Sequence, residues 1–160
     1  MQKRLVNFLF IALLAGLVFF LVLLVYIYMA KSKSINTLKK QEDVILKVTD
    51  DKNKDISSDK ILVLKEYYAN DDVVGILSIP NMGINAVLTK GKDNDYYLKH
   101  NVYGKSDIYG NIFVDYRVNI LNSKQINIYG HSDKDKDIPF ARLDGYLSYD
   151  TYLNNKYHNA

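Results

Sequence analysis

The stretch Phe8–Ala30 carries no charged residue and no proline, and from Leu5 onward only Asn7 and Gly16 interrupt its apolar run. At ~1.5 Å rise per residue, a helix of this length spans a ~30 Å hydrocarbon layer with some tilt. Lipid offers no partners to backbone N–H and C=O groups, so a helix is the expected conformation. Tyr26 and Tyr28 stand near one end, where amphipathic rings favour the headgroup layer. A cleaved leader would have an apolar core of ~7–15 residues ending in small residues, and Tyr28-Met29-Ala30 is a poor cleavage site. A buried core helix is disfavoured because so short a chain could not cover it on all sides. Residues 1–30 are therefore expected to be an uncleaved anchor in a lipid bilayer. Its orientation is open on charge alone. Lys3 and Arg4 precede it, Lys31, Lys33, Lys39 and Lys40 follow it, and a literal positive-inside count leaves the remainder in the cytoplasm.

Behind the anchor there is room for one small domain. The formal charge of +3 is mild, and lysines alternate with acids, so no basic stripe points to nucleic acid. The 160 residues contain no cysteine, which excludes disulfides, thiolate metal sites and a thiol nucleophile within them.

Ile35, Leu38, Ile45 and Leu46 recur at near-helical spacing, so Ser34–Val48 is expected to be an amphipathic stalk. Thr49–Lys60 is polar and reads as a linker, so residues 31–60 are expected to form stalk and linker and residues 61–160 the folded part. Ile61–Ala69 suits a short helix ended by Asn70 and the Asp71-Asp72 pair. The pattern then changes to β. Gly75–Ile79 and Ile84–Leu88 flank the turn at Pro80–Gly83 and are expected to be adjacent strands. Gly91–Lys99 reads as a turn and short helix, with Asp93, Asn94 and Asp95 as turn and cap residues. Asn111–Tyr116 and Gln125–Tyr129 are two further strand candidates around the loop Arg117–Lys124, and a helix-like tail runs to Ala160.

Four segments in this order carry a family resemblance. Val74-Gly75-Ile76-Leu77-Ser78-Ile79-Pro80 resembles the strand that opens the sortase barrel. Gly91-Lys92-Asp93-Asn94-Asp95-Tyr96-Tyr97-Leu98, followed by His100-Asn101, is similar to a segment of the class B members. Asn111-Ile112-Phe113-Val114-Asp115-Tyr116-Arg117 and Ile126-Asn127-Ile128-Tyr129-Gly130-His131 resemble two later strands of that class. The resemblance runs from about Ile61 to about Tyr152. It implies a mainly β fold, a sortase-like β-barrel that is incomplete in this chain, behind an N-terminal transmembrane helix. It also implies a cysteine transpeptidase on the outer face of a Gram-positive-type cell membrane. Such an enzyme takes secreted proteins with a C-terminal sorting signal, holds them as thioesters and passes them to an amine of the peptidoglycan precursor. No cofactor or metal is expected.

Within that chemistry a thiolate divides amide exchange into two easier steps, an imidazole moves the proton, and an arginine stabilises the oxyanion. The family's catalytic histidine corresponds to His131. His100 matches a position without a catalytic role, and His158 lies in the tail. The cysteine, and the arginine on a strand beyond it, have no counterpart, and neither Arg117 nor Arg142 occupies that arginine's place. The chain as given is therefore expected to be inactive alone and, with barrel strands missing, unstable as a soluble piece. The alternatives are a non-catalytic, membrane-tethered binding module or a non-functional short product. Smaller departures are Ala86, where a proline is common, and Ser132, where asparagine often follows the histidine. Asp133, Asp135, Asp137 and Asp144 loosely copy a calcium loop, but Ile138 replaces its glycine and Asp144 its bidentate glutamate, so a solvated loop is the favoured reading.

Overall fold

The computed structural model describes residues 2–49 and 58–154, which divide after Lys33 into two compact units. The linker residues 50–57, the end of the tail and His158 lie outside the described residues. In the first unit the helix α1 (Gln2–Thr49) carries large apolar side chains from Leu5 to Met29, all of them exposed. This part is long and apolar enough to cross a bilayer, with a mean hydropathy of 3.2 over its most apolar stretch.

The second unit opens with the rest of α1. Ser34, Leu38, Gln41, Val44 and Ile45 are buried there, spaced as one helical face. The segment expected to be a stalk thus packs as part of this unit. Val44 and Ile45 join Leu64 and Tyr68 of α2 (Ser58–Tyr68), together with Val73, Val87 and Val102, in the main apolar core. Leu38 joins Tyr109 and Ile138 in a smaller one.

β1 (Val73–Ile79) and β2 (Ile84–Thr89) pair antiparallel across the 3-10 turn Pro80–Met82. After α3 (Tyr96–Lys99), β3 (Phe113–Val114) pairs parallel to β2 at Thr89↔Phe113. β4 (Ile128–Tyr129) then pairs antiparallel to β3. The sheet order is β1-β2-β3-β4, a small mixed sheet that does not close on itself among the described residues.

The two later strands are shorter than their apolar patterns imply, and polar side chains are the reason. Asn111 donates to the carbonyls of Val87 and Ile112, and Asp115 accepts the Arg117 N–H. The Asn111 N–H goes to the Tyr97 carbonyl instead of a neighbouring strand, while the Asp115 N–H still pairs with the Asn127 carbonyl before the chain turns at Arg117. In the expected helical tail, Pro139–Leu147 is 3-10 and only α4 (Tyr149–Asn154) is α-helical.

Candidate active site

The site is organised by α3. Asp93 accepts the N–H groups of Tyr96 (2.8 Å) and Asp95 (2.9 Å), as its turn-and-cap reading requires. Those two bonds, that of Tyr96 foremost, hold the Asp93 carboxyl below the usual carboxylate range. Asn94 accepts the Tyr116 N–H. With only four residues, α3 leaves its carbonyls without helical partners, and each must be satisfied from elsewhere. The Tyr96 carbonyl takes the His100 Nδ1–H (2.8 Å) and that of Tyr97 takes the Asn111 N–H (2.9 Å). The Lys99 carbonyl takes the Asp107 N–H (2.8 Å), and Leu98 receives the His131 Nε2–H at 2.9 Å.

Gly110 makes this close approach possible. Its φ is +58°, and a methyl group there would run into the Tyr97 carbonyl oxygen and lie 2.9 Å from that of Leu98. Beside it, buried Asn111 spends its amide on Val87 O, Ile112 O and Thr89 Oγ1, and its oxygen accepts from Gln41 at 3.0 Å. Asp107 is held by Ser34 and Asn101.

His131 follows β4 directly, after Gly130, and is exposed. A side chain at Gly130 would press on Ile112 and Phe140, each 3.1 Å from its Cβ. The His131 ring lies edge-on to Tyr109, with centroids 6.4 Å apart. Tyr109 in turn donates its hydroxyl to Asp133 (2.7 Å). Burial, reinforced by Asp133, pushes the Tyr109 phenol up to about 12. The carboxylates of Asp133, Asp137 and Asp144 in the calcium-like run have protein partners. Asp133 also accepts the Asp135 N–H, Asp137 pairs with Arg142, and Asp144 with Lys134.

The two arginines near the motifs are committed to carboxylates. Arg117 grips Asp115 with Nε (2.9 Å) and Nη2 (2.6 Å), and Tyr129 donates to the same carboxylate. The guanidinium holds the Asp115 carboxyl far below its usual range, and the Arg117 value rises in return. Arg142 binds Glu42 and Asp137 and reaches the Gly83 carbonyl. His100 stacks on Tyr96 with centroids 4.1 Å apart and the rings nearly parallel. Sequence reasoning singled out His131 but missed Leu98, Tyr109 and Gly110, whose contributions are a backbone carbonyl, a ring edge and an absent side chain.

His131 is thus an exposed imidazole presented at a sheet end, and the 160 residues contain no cysteine. No family model matches the chain. It is 44% identical over 82 residues to sortase B of Listeria monocytogenes, covering 51% of this chain and 33% of that protein. The solved sortase B from Bacillus anthracis, in complex with AAEK1, matches with a TM-score of 0.66 at 23% identity, over 80% of this chain and 60% of that one. The solved sortase B from Listeria monocytogenes matches at 38% identity with a TM-score of 0.51, over 59% of this chain and 53% of that one. Over the part these matches cover, the chain is similar to class B sortases. It spans a third of the length of its curated relative.

Proposed function

We propose that this chain carries the acid/base half of a membrane-anchored, sortase-type cysteine transpeptidase, with His131 as the proton-transfer group. The sheet belongs on this reading to a sortase barrel, and the apolar part of α1 anchors it with the second unit outside the cell. The carrying observation is His131 itself. It is exposed directly after β4, held by one ring nitrogen to the backbone of α3, in a chain similar to sortase B.

In the reaction a thiolate attacks the amide carbonyl of a sorting signal on a secreted protein. The C–N bond breaks, the imidazolium gives its proton to the departing amine, and a thioester remains. An amine of the peptidoglycan precursor then attacks, the imidazole takes its proton, and the C–S bond breaks to return the thiolate. The thiolate must come from outside these 160 residues, because they hold no cysteine. The same fact favours a second reading, a tethered module that binds sorting signals without reacting.

The test joins the full chain to the later, cysteine-bearing part of Listeria monocytogenes sortase B and follows a fluorogenic sorting-signal peptide with an added amine. Thioester formation and transfer by the joined protein, with none by the chain alone, is the expected result. Peptide binding without turnover in the joined protein would favour the binding module, and neither binding nor turnover would overturn both readings.

A further inference from the structure

The bond between His131 and α3 has a consequence for which ring nitrogen does the chemistry. Resting on the reading of His131 as the acid/base, we propose that the Leu98 carbonyl is a positioning group that keeps the hydrogen of neutral His131 on Nε2. Nδ1 is then the atom that gives and takes the proton.

A carbonyl oxygen can only accept, so a ring nitrogen 2.9 Å from it must carry the hydrogen. In the neutral imidazole the other nitrogen then holds the lone pair. Nδ1 of His131 meets no protein donor or acceptor among the described residues, and the side chain is exposed, so an incoming amine can reach it. During turnover Nδ1 receives the proton of the incoming amine and returns one to the departing amine, while Nε2–H stays on Leu98. The ring does not flip between steps.

The same helix supplies an internal control. His100 also bonds an α3 carbonyl, that of Tyr96, but through Nδ1. The two histidines are therefore held as opposite tautomers by two carbonyls of one four-residue helix. The Leu98 carbonyl is available because it is one of the orphan carbonyls of α3, and because Gly110 leaves room for the backbone to approach it. The Tyr109 ring edge, fixed through Asp133, limits rotation of the imidazole from its other side.

The experiment is long-range 1H–15N NMR on the full chain in detergent micelles, with labelled histidine and His158→Gln to remove the third signal. Spectra are recorded at a pH where the imidazoles are neutral, and His100→Gln gives the assignment. The expected result is a pyrrole-type Nε2 and pyridine-type Nδ1 at His131, with the reverse at His100. Gly110→Ala, which displaces the Leu98 carbonyl, is expected to give mixed tautomers at His131. A hydrogen on Nδ1 of His131, or averaging of both tautomers in the parent chain, overturns the proposal. Because this readout needs no thiol, it can fail while the joined protein still turns over peptide, and the reverse also holds.

Discussion

Two buried regions of the second unit are built on opposite chemistry. Around Leu64, Tyr68, Val73 and Val87, α1, α2 and the β1–β2 pair meet through apolar surface, the Tyr68 hydroxyl apart. Around Gln41, Thr89, Asn101 and Asn111, with half-buried Asp107 beside them, the groups are polar and satisfied largely by one another and by carbonyls. The first region is non-directional, and any side chains of suitable volume would fill it. The second is directional. It fixes where the carbonyls of α3 point, and one of those carbonyls holds His131. The hydrophobic region holds the elements together, and the polar region sets the geometry of the candidate site.

Gly110→Ala should have the largest effect, because left-handed strain combines with a collision against backbone. A loss of about 4 kcal/mol is expected by denaturant unfolding of the full chain in micelles. A loss below about 1 kcal/mol would mean that the α3 carbonyls yield easily. Leu64→Ala should cost about 3 kcal/mol through lost burial and a residual cavity. Its His131 NMR signature should stay intact, which separates the two regions. Asn111→Ala should cost about 2 kcal/mol, since the Val87 carbonyl and the Gln41 amide lose a partner. Unlike Leu64→Ala, it should also disturb His131.

The pH dependence sharpens the same contrast. The Tyr109 value is raised on folding, so its stabilisation is complete below the unfolded phenol value of ~10 and is lost as pH climbs through about 12. Alkaline unfolding monitored by circular dichroism should shift to higher pH in Tyr109→Phe, and an unchanged midpoint would count against this burial. The smallest effect belongs to Tyr68→Phe. The Tyr68 hydroxyl is buried without a hydrogen-bond partner among the described residues, so its removal should be neutral or stabilising by up to ~1 kcal/mol.

The apolar region was legible in the sequence. Near-helical spacing marked the second part of α1, and the runs at Gly75–Ile79 and Ile84–Leu88 marked β1 and β2 to within two residues. The strands at Asn111–Tyr116 and Gln125–Tyr129 were read too long, because their apolar residues carry the period-two signal while the Asn111 N–H leaves the sheet for the Tyr97 carbonyl and Asp115 turns the chain at Arg117. His131 was legible only through the family resemblance. The device that holds it was not, because a backbone carbonyl has no letter in the sequence, and a glycine that admits a close approach looks like any turn glycine.

His131, and neither of the other histidines, is the residue proposed to move the proton. The most direct measurement compares His131→Gln and His100→Gln in the protein joined to the cysteine-bearing part of Listeria monocytogenes sortase B. Each variant is assayed for thioester formation and for transfer to the amine. His131→Gln is expected to lower both steps by at least ~10²-fold, the lower end of a general acid/base contribution. His100→Gln should keep them near the parent rate. Retained transfer in His131→Gln, with the protein folded and the peptide bound, would contradict that role.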